Sequence, residues 1–144
     1  ERGYPVMSVD CQKETVKRLI DKIRDNADQI VRYEEEDIDG ADVVVVAYGI
    51  TARVTRAAID MARAKGIKVG FMRLIVVWPF PETRIRELAD KVKAFVMPEI
   101  NYGQVVLEIE RCAAGKATTT LVPHMGGGVH DPADILKAIE EAAK

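Results

Sequence analysis

The sequence predicts an α/β domain: a three-layer α/β/α sandwich built on a mainly parallel sheet of four to five strands. Three observations carry that prediction. Val43 to Val46 are four consecutive valines, short apolar runs alternate with amphipathic stretches after them, and each run ends in a loop of marked composition. A strand covered by helices on both faces reads as a continuous apolar run. Right-handed crossovers between such strands set them parallel.

Taken in order, Val6 to Val9 is apolar enough to supply an additional strand. Glu14 to Ile30 then places Val16, Leu19, Ile20, Ile23, Ala27 and Ile30 on one face, the three-and-four repeat of an amphipathic helix that should pack on the rest of the domain. Tyr33 to Gly40 is too acidic to bury and closes on a glycine, so it reads as an exposed connection with solvated charges. Residues 1–39 are thus a connecting segment with a helix, and residues 40–144 the α/β domain.

The alternation begins with a strand over Asp42 to Tyr48, ended by Gly49. Thr51 can cap the following helix, which has Ala58, Met61 and Ala62 along one face and stops at Lys65-Gly66. Strand Lys68 to Ile75, helix Glu82 to Val92, strand Lys93 to Met97, helix Gly103 to Cys112, strand Thr118 to Val122 and helix Pro132 to Ala143 complete it. The predicted core contains Val43, Val45, Leu74, Phe95, Val96, Leu121, Ile135 and Ile139. The units share spacing but no residue pattern, so a solenoid is not indicated.

Composition narrows the function classes. The 144 residues, 48% hydrophobic and 31% charged, fit one globular domain. No apolar run approaches the roughly 20 residues of a membrane helix. The net charge is −2 and the basic residues are scattered, which argues against a nucleic-acid binder. Cys11 and Cys112 lack partners at ligand spacing, so neither a zinc site nor an iron–sulfur cluster is expected in this chain, and two thiols suit a reducing cytoplasm. The chain opens at Glu1 with its first Met at Met7, as a piece of a longer protein would.

Ligands of open parallel sheets bind beyond the carboxyl ends of the strands. The loop Tyr48-Gly49-Ile50-Thr51 has one glycine where a dinucleotide fingerprint needs three, leaving Gly49 as a turn or a weak amide site. Gly126, Gly127 and Gly128, with His124 beside them, could form an anion-binding concavity or simply a turn. His130 reads as a surface or helix-entry residue rather than a base. Glu99, Glu108 and Glu110 are candidates for acid–base work by chemistry alone, and no nucleophile–base or paired-carboxylate arrangement supports them. Trp78 and Phe80, stiffened by Pro79 and Pro81, together with Asn101, Tyr102, Gly103 and Gln104, have the composition of an interface for a partner subunit or the upstream domain; the alternative is that the aromatic side chains are tucked into the domain's own rim.

The combination of Ala47-Tyr48-Gly49, Arg73-Leu74, Trp78-Pro79-Phe80-Pro81-Glu82, Pro98-Glu99-Ile100-Asn101-Tyr102-Gly103-Gln104 and Glu108-Ile109-Glu110-Arg111 resembles one family, the α subunits of 2-oxoacid:ferredoxin oxidoreductases. The likeness runs from about Gly40 to the C-terminus, and the preceding helix resembles the segment joining this domain to the one upstream. It implies a fold like the transketolase C-terminal domain. It also implies an enzyme that decarboxylates a 2-oxoacid, 2-oxoglutarate, pyruvate or a branched one, on thiamine diphosphate and magnesium. Electrons then pass through iron–sulfur clusters to ferredoxin, and an acyl-coenzyme A is released. By the same resemblance those cofactors belong to other domains or to the β, γ and δ subunits. This chain is then a catalytically silent assembly domain. A free-standing phosphate- or nucleotide-binding module remains the alternative.

Overall fold

In the computed structural model, which describes residues 3–144, helix α1 (Val9–Arg24) and the short α2 (Ala27–Ile30) lead into β1 (Tyr33–Glu36). Strands and helices then alternate: β2 (Val43–Tyr48), α3 (Gly49–Ala64), β3 (Val69–Leu74), α4 (Glu82–Ala89), β4 (Ala94–Glu99), α5 (Val106–Ala113), β5 (Thr118–Pro123) and α6 (Pro132–Ala142). The sheet order is β1-β3-β2-β4-β5, with β2 to β5 parallel and β1 antiparallel to β3.

The two-residue period of the strands sorts the core into two layers. Val44, Val46, Met72, Leu74, Phe95 and Met97 face α4 and α5, where Ile85, Leu88 and Ile109 receive them. Val43, Val45, Ala47, Phe71 and Val96 face α3 and α6, against Ala58, Ile59, Ile135 and Ile139. All four valines of β2 are completely buried. At roughly 1.5–3 kcal/mol each, their burial is comparable with the whole net stability of a domain, before the entropy of ordering is set against it. The expected sandwich is therefore the observed one. Leu121 departs from the predicted core because it lies on the edge strand β5, where it is only half-buried.

The N-terminal third differs more. Val6 to Val9 forms no strand; Ser8 caps α1, accepting from the Cys11 amide at 3.2 Å, so the helix starts five residues earlier than its apolar stripe indicated. The helix also breaks at Asp25, before α2. The stripe does not pack as expected. No residue of α1 is buried, and Val16, Leu19 and Ile20 stay exposed, because only the helix's C-terminal end approaches the domain.

The acidic stretch read as an exposed connection contains β1, the fifth strand. Its charges are paired rather than merely solvated. Glu34 meets Arg73 of β3 at 3.1 Å, Glu35 takes a two-pronged bond from Arg84 of α4 at 2.7 and 2.9 Å, Glu36 meets Arg56 of α3 at 2.6 Å, and Asp37 meets Arg63 of α3 at 2.9 Å. Alternation along β1 sends successive carboxylates to opposite faces, so arginines from both helix layers can reach them.

Candidate functional site

From β2 the chain crosses to β3 on one side and then returns past β2 to β4 on the other. The loops after β2 and β4 therefore diverge and leave the switch point at which doubly wound sheets bind ligands. Here Glu99, the last residue of β4, fills it. Its side chain is fully buried. Oε1 accepts from the Val106 amide at 2.8 Å and the Gln104 amide at 3.2 Å; Oε2 accepts from Asn101 Nδ2 at 3.0 Å, the Tyr48 hydroxyl at 3.1 Å and the Val105 amide at 3.2 Å. A buried carboxylate is tolerable only with such saturation, to which the positive end of α5 adds.

Asn101, Tyr48 and Gly103 tighten this centre. Asn101 turns inward and accepts from the Gly103 amide at 2.7 Å through its Oδ1. Burial, then the adjacent Glu99 charge, raises the Tyr48 phenol above its usual range, so Tyr48 is a neutral donor. Gly103 takes φ +96°, and a Cβ there would meet Leu121 Cδ2 at 2.8 Å. All the acceptor positions of this carboxylate are turned inward, towards the chain's own donors. Glu108 pairs with Arg111 at 2.7 Å, and Glu110 is a solvent-facing charge on α5.

The residues read as interface separate. Trp78 and Tyr102 project, 65% and 78% exposed, and Gln104 is also exposed. Phe80 does not project: it is buried against the α4–α5 layer, because the loop doubles back to start α4 at Glu82. Asn101 and Gly103 are half-buried and serve the loop itself. A cleft of about 580 Å³ lies between the end of α1 and the Trp78 loop, lined by Ile23, Val31, Tyr33, Trp78, Pro79 and Arg84.

Gly49 is the exposed first residue of α3, and Thr51 donates to the Tyr48 carbonyl at 2.6 Å instead of capping the helix amides. Gly126, Gly127 and Gly128 form an exposed turn, with positive φ at the first two. His130 is not a surface residue: it is buried beside His124, its Nε2 2.8 Å from the Val122 carbonyl, immediately before the Asp131 cap of α6. Burial also pushes the Cys112 thiol up.

Sequence reading missed the wider pattern around Trp78 and Tyr102. From Gly40 onward, the exposed large hydrophobic residues are Ile50 after β2, Ile75 and Trp78 after β3, Ile100 and Tyr102 after β4 with Leu107 behind them, and Met125 and Val129 after β5. Met61 on α3 is the exception. Residues 49–51, 75–81, 100–105 and 124–130 hold no Asp, Glu, Lys or Arg. The signal was in the sequence, as four charge-free loops in a chain that is 31% charged. Their convergence at one end follows only from the parallel sheet.

Residues 41–135 match the family described as pyruvate:ferredoxin oxidoreductase core domain II. The chain belongs to that family. Over 140 residues it is 41% identical to the 2-oxoglutarate synthase subunit KorA of Methanothermobacter marburgensis, covering 96% of this chain and 37% of that one. Over 113 residues it is 48% identical to the ketoisovalerate oxidoreductase subunit VorB of Methanothermobacter thermautotrophicus, covering 78% of this chain and 32% of that one. This core domain II chain thus spans about a third of the length of these curated relatives.

Its structure superposes with a TM-score of 0.82 and 26% identity on 2-oxoglutarate:ferredoxin oxidoreductase from Magnetococcus marinus, solved with 2-oxoglutarate, coenzyme A and succinyl-CoA bound, over 100% of this chain and 25% of that one. A split gene transketolase, described as an inactive β4 tetramer, shares the fold at a TM-score of 0.66 and 21% identity, over 78% of this chain and 41% of that one.

Proposed function

We propose that this core domain II is the assembly module of an α-type subunit in a 2-oxoacid:ferredoxin oxidoreductase, docking through the carboxyl end of its sheet. The observation that carries the reading is the set of four charge-free loops from which Trp78 and Tyr102 project. Large apolar groups exposed together mark a protein interface, and depletion of charge distinguishes an interface core from ordinary surface. The complete enzyme would convert a 2-oxoacid to an acyl-coenzyme A and reduce ferredoxin. The relatives' names, 2-oxoglutarate synthase and ketoisovalerate oxidoreductase, support that substrate class.

Thiamine diphosphate with its magnesium does not fit the residues present. Glu99, the carboxylate at the switch point, is saturated by its own backbone, and among the described residues no three His, Cys, Asp or Glu side chains converge on a metal position. No catalytic step is assigned to this chain. Cofactors and clusters would reside in other domains and in the β, γ or δ subunits, and docking would contribute by holding those parts in register.

Co-purification with the cognate β subunit tests the reading. Changing Trp78 and Tyr102 together to Ala should weaken assembly at least tenfold, since buried aromatic anchors carry most of an interface's affinity. Both side chains are solvent-exposed, so the melting temperature should stay within a few degrees. Undiminished assembly would remove the carboxyl end as the docking face.

A further inference from the structure

The first turn of a helix leaves four amides without intrahelical partners, and in doubly wound sheets a ligand anion commonly takes them at the switch point. In this domain the amides of Gln104, Val105 and Val106 are taken by the chain's own Glu99. The same carboxylate receives Tyr48 from the end of β2 and Asn101 from the middle of the loop. One buried group therefore ties together the two loops that flank the switch point.

The tie has a directional consequence. Residues 100–105 form a loop closed at both ends by Glu99, with Asn101 as the inward strut. Ile100 and Tyr102, its neighbours on either side, are turned outward at 47% and 78% exposure. Tyr48 stands two residues before Ile50, which is exposed on the adjoining loop. A loop already held in its docking shape loses less freedom on association than one that must be ordered by its partner.

We infer that Glu99 is the positioning residue of the docking surface: its buried carboxylate stands where a ligand's anion would bind, and so presents Ile100 and Tyr102 to the β subunit. This rests on the assembly reading above and names how that surface is held. It also gives the domain a reason to keep a costly buried charge without catalytic use.

Amide hydrogen exchange and a double-mutant cycle test it, using the full chain and the cognate β subunit. In the unaltered protein the Gln104, Val105 and Val106 amides should be protected. Asn101→Ala and Glu99→Gln should each lower that protection at least tenfold and weaken assembly at least fivefold. In a Tyr102→Ala background the further loss from Asn101→Ala should shrink to less than half, because Asn101 acts largely through Tyr102. A purely structural defect would instead add to the Tyr102→Ala effect.

Unprotected amides in the unaltered chain would overturn the proposal, as would full additivity in the cycle. Should Glu99→Gln fail to fold, Asn101→Ala decides alone, since it leaves the carboxylate and its backbone donors in place. The two readings fail separately. If the Trp78, Tyr102 double change leaves assembly intact, the docking face is wrong even where amide protection depends on Glu99. If that change disrupts assembly but Asn101→Ala does not, the docking face stands and the positioning role falls.

Discussion

The two ends of the sheet are built on opposite principles. At the carboxyl end the four loops carry no formal charge, and Glu99, the carboxylate at the switch point, is turned inside and saturated. At the amino end the connections are short and ionic: Asp37, Asp39 and Asp42 before β2, Lys65 and Lys68 before β3, Asp90, Lys91 and Lys93 before β4, and Lys116 before β5. Several of these pair locally, Asp42 with Lys93 at 3.1 Å, Asp90 with Lys116 at 2.6 Å, and Lys65 with Glu140. One scaffold thus separates an ionic surface from one with charge-free loops and exposed apolar side chains. Strand direction alone makes the separation possible, because parallel strands gather all loops of one kind at one end.

Between the ends lies the part that neither can replace. Val45→Asp would bury an unpaired carboxylate at a completely buried position, at a cost on the order of several kcal/mol. The domain should then lose its cooperative thermal transition, as measured by circular dichroism. A mutant melting like the parent would show that the central strand is not the common support of both ends.

A smaller effect is expected at the carboxyl end from Gly103→Ala. The new Cβ would sit 2.8 Å from Leu121 Cδ2 on a backbone at φ +96°, so about 1–3 kcal/mol should be lost. Unchanged stability would mean that the loop yields readily, contrary to a preset docking surface. The smallest effect belongs to the amino end. Lys116→Ala removes an exposed ion pair with Asp90 and should change stability by no more than about 0.5 kcal/mol, with assembly unaltered. Weakened assembly in that variant would place part of the interface at the ionic end and break the distinction.

The α/β alternation, the three layers and the buried strands were legible because hydrophobic period and run length are local properties. Seven of the eight named core positions are buried for that reason, and Leu121 misses because edge position depends on strand order. The acidic strand β1 was illegible for a related cause. Its charges are paired by Arg56, Arg63, Arg73 and Arg84, each 20 or more residues further along the chain than its partner.

The proposed docking surface divides in the same way. Trp78 and Tyr102 could be picked out by residue type and by rigid neighbours, which are sequence properties. That Phe80 turns inward beside them depended on how the loop re-enters α4. Glu99 was visible only as one carboxylate among many, since its meaning requires β2 and β4 to be adjacent and α5 to start where it does. Sequence by itself determined the strands and helices from Val43 onward and which loops lack charge, because those follow from nearest neighbours. Tertiary structure decided which loops meet, which helix face stays uncovered and which charge is buried, because each depends on distances between residues far apart in the chain.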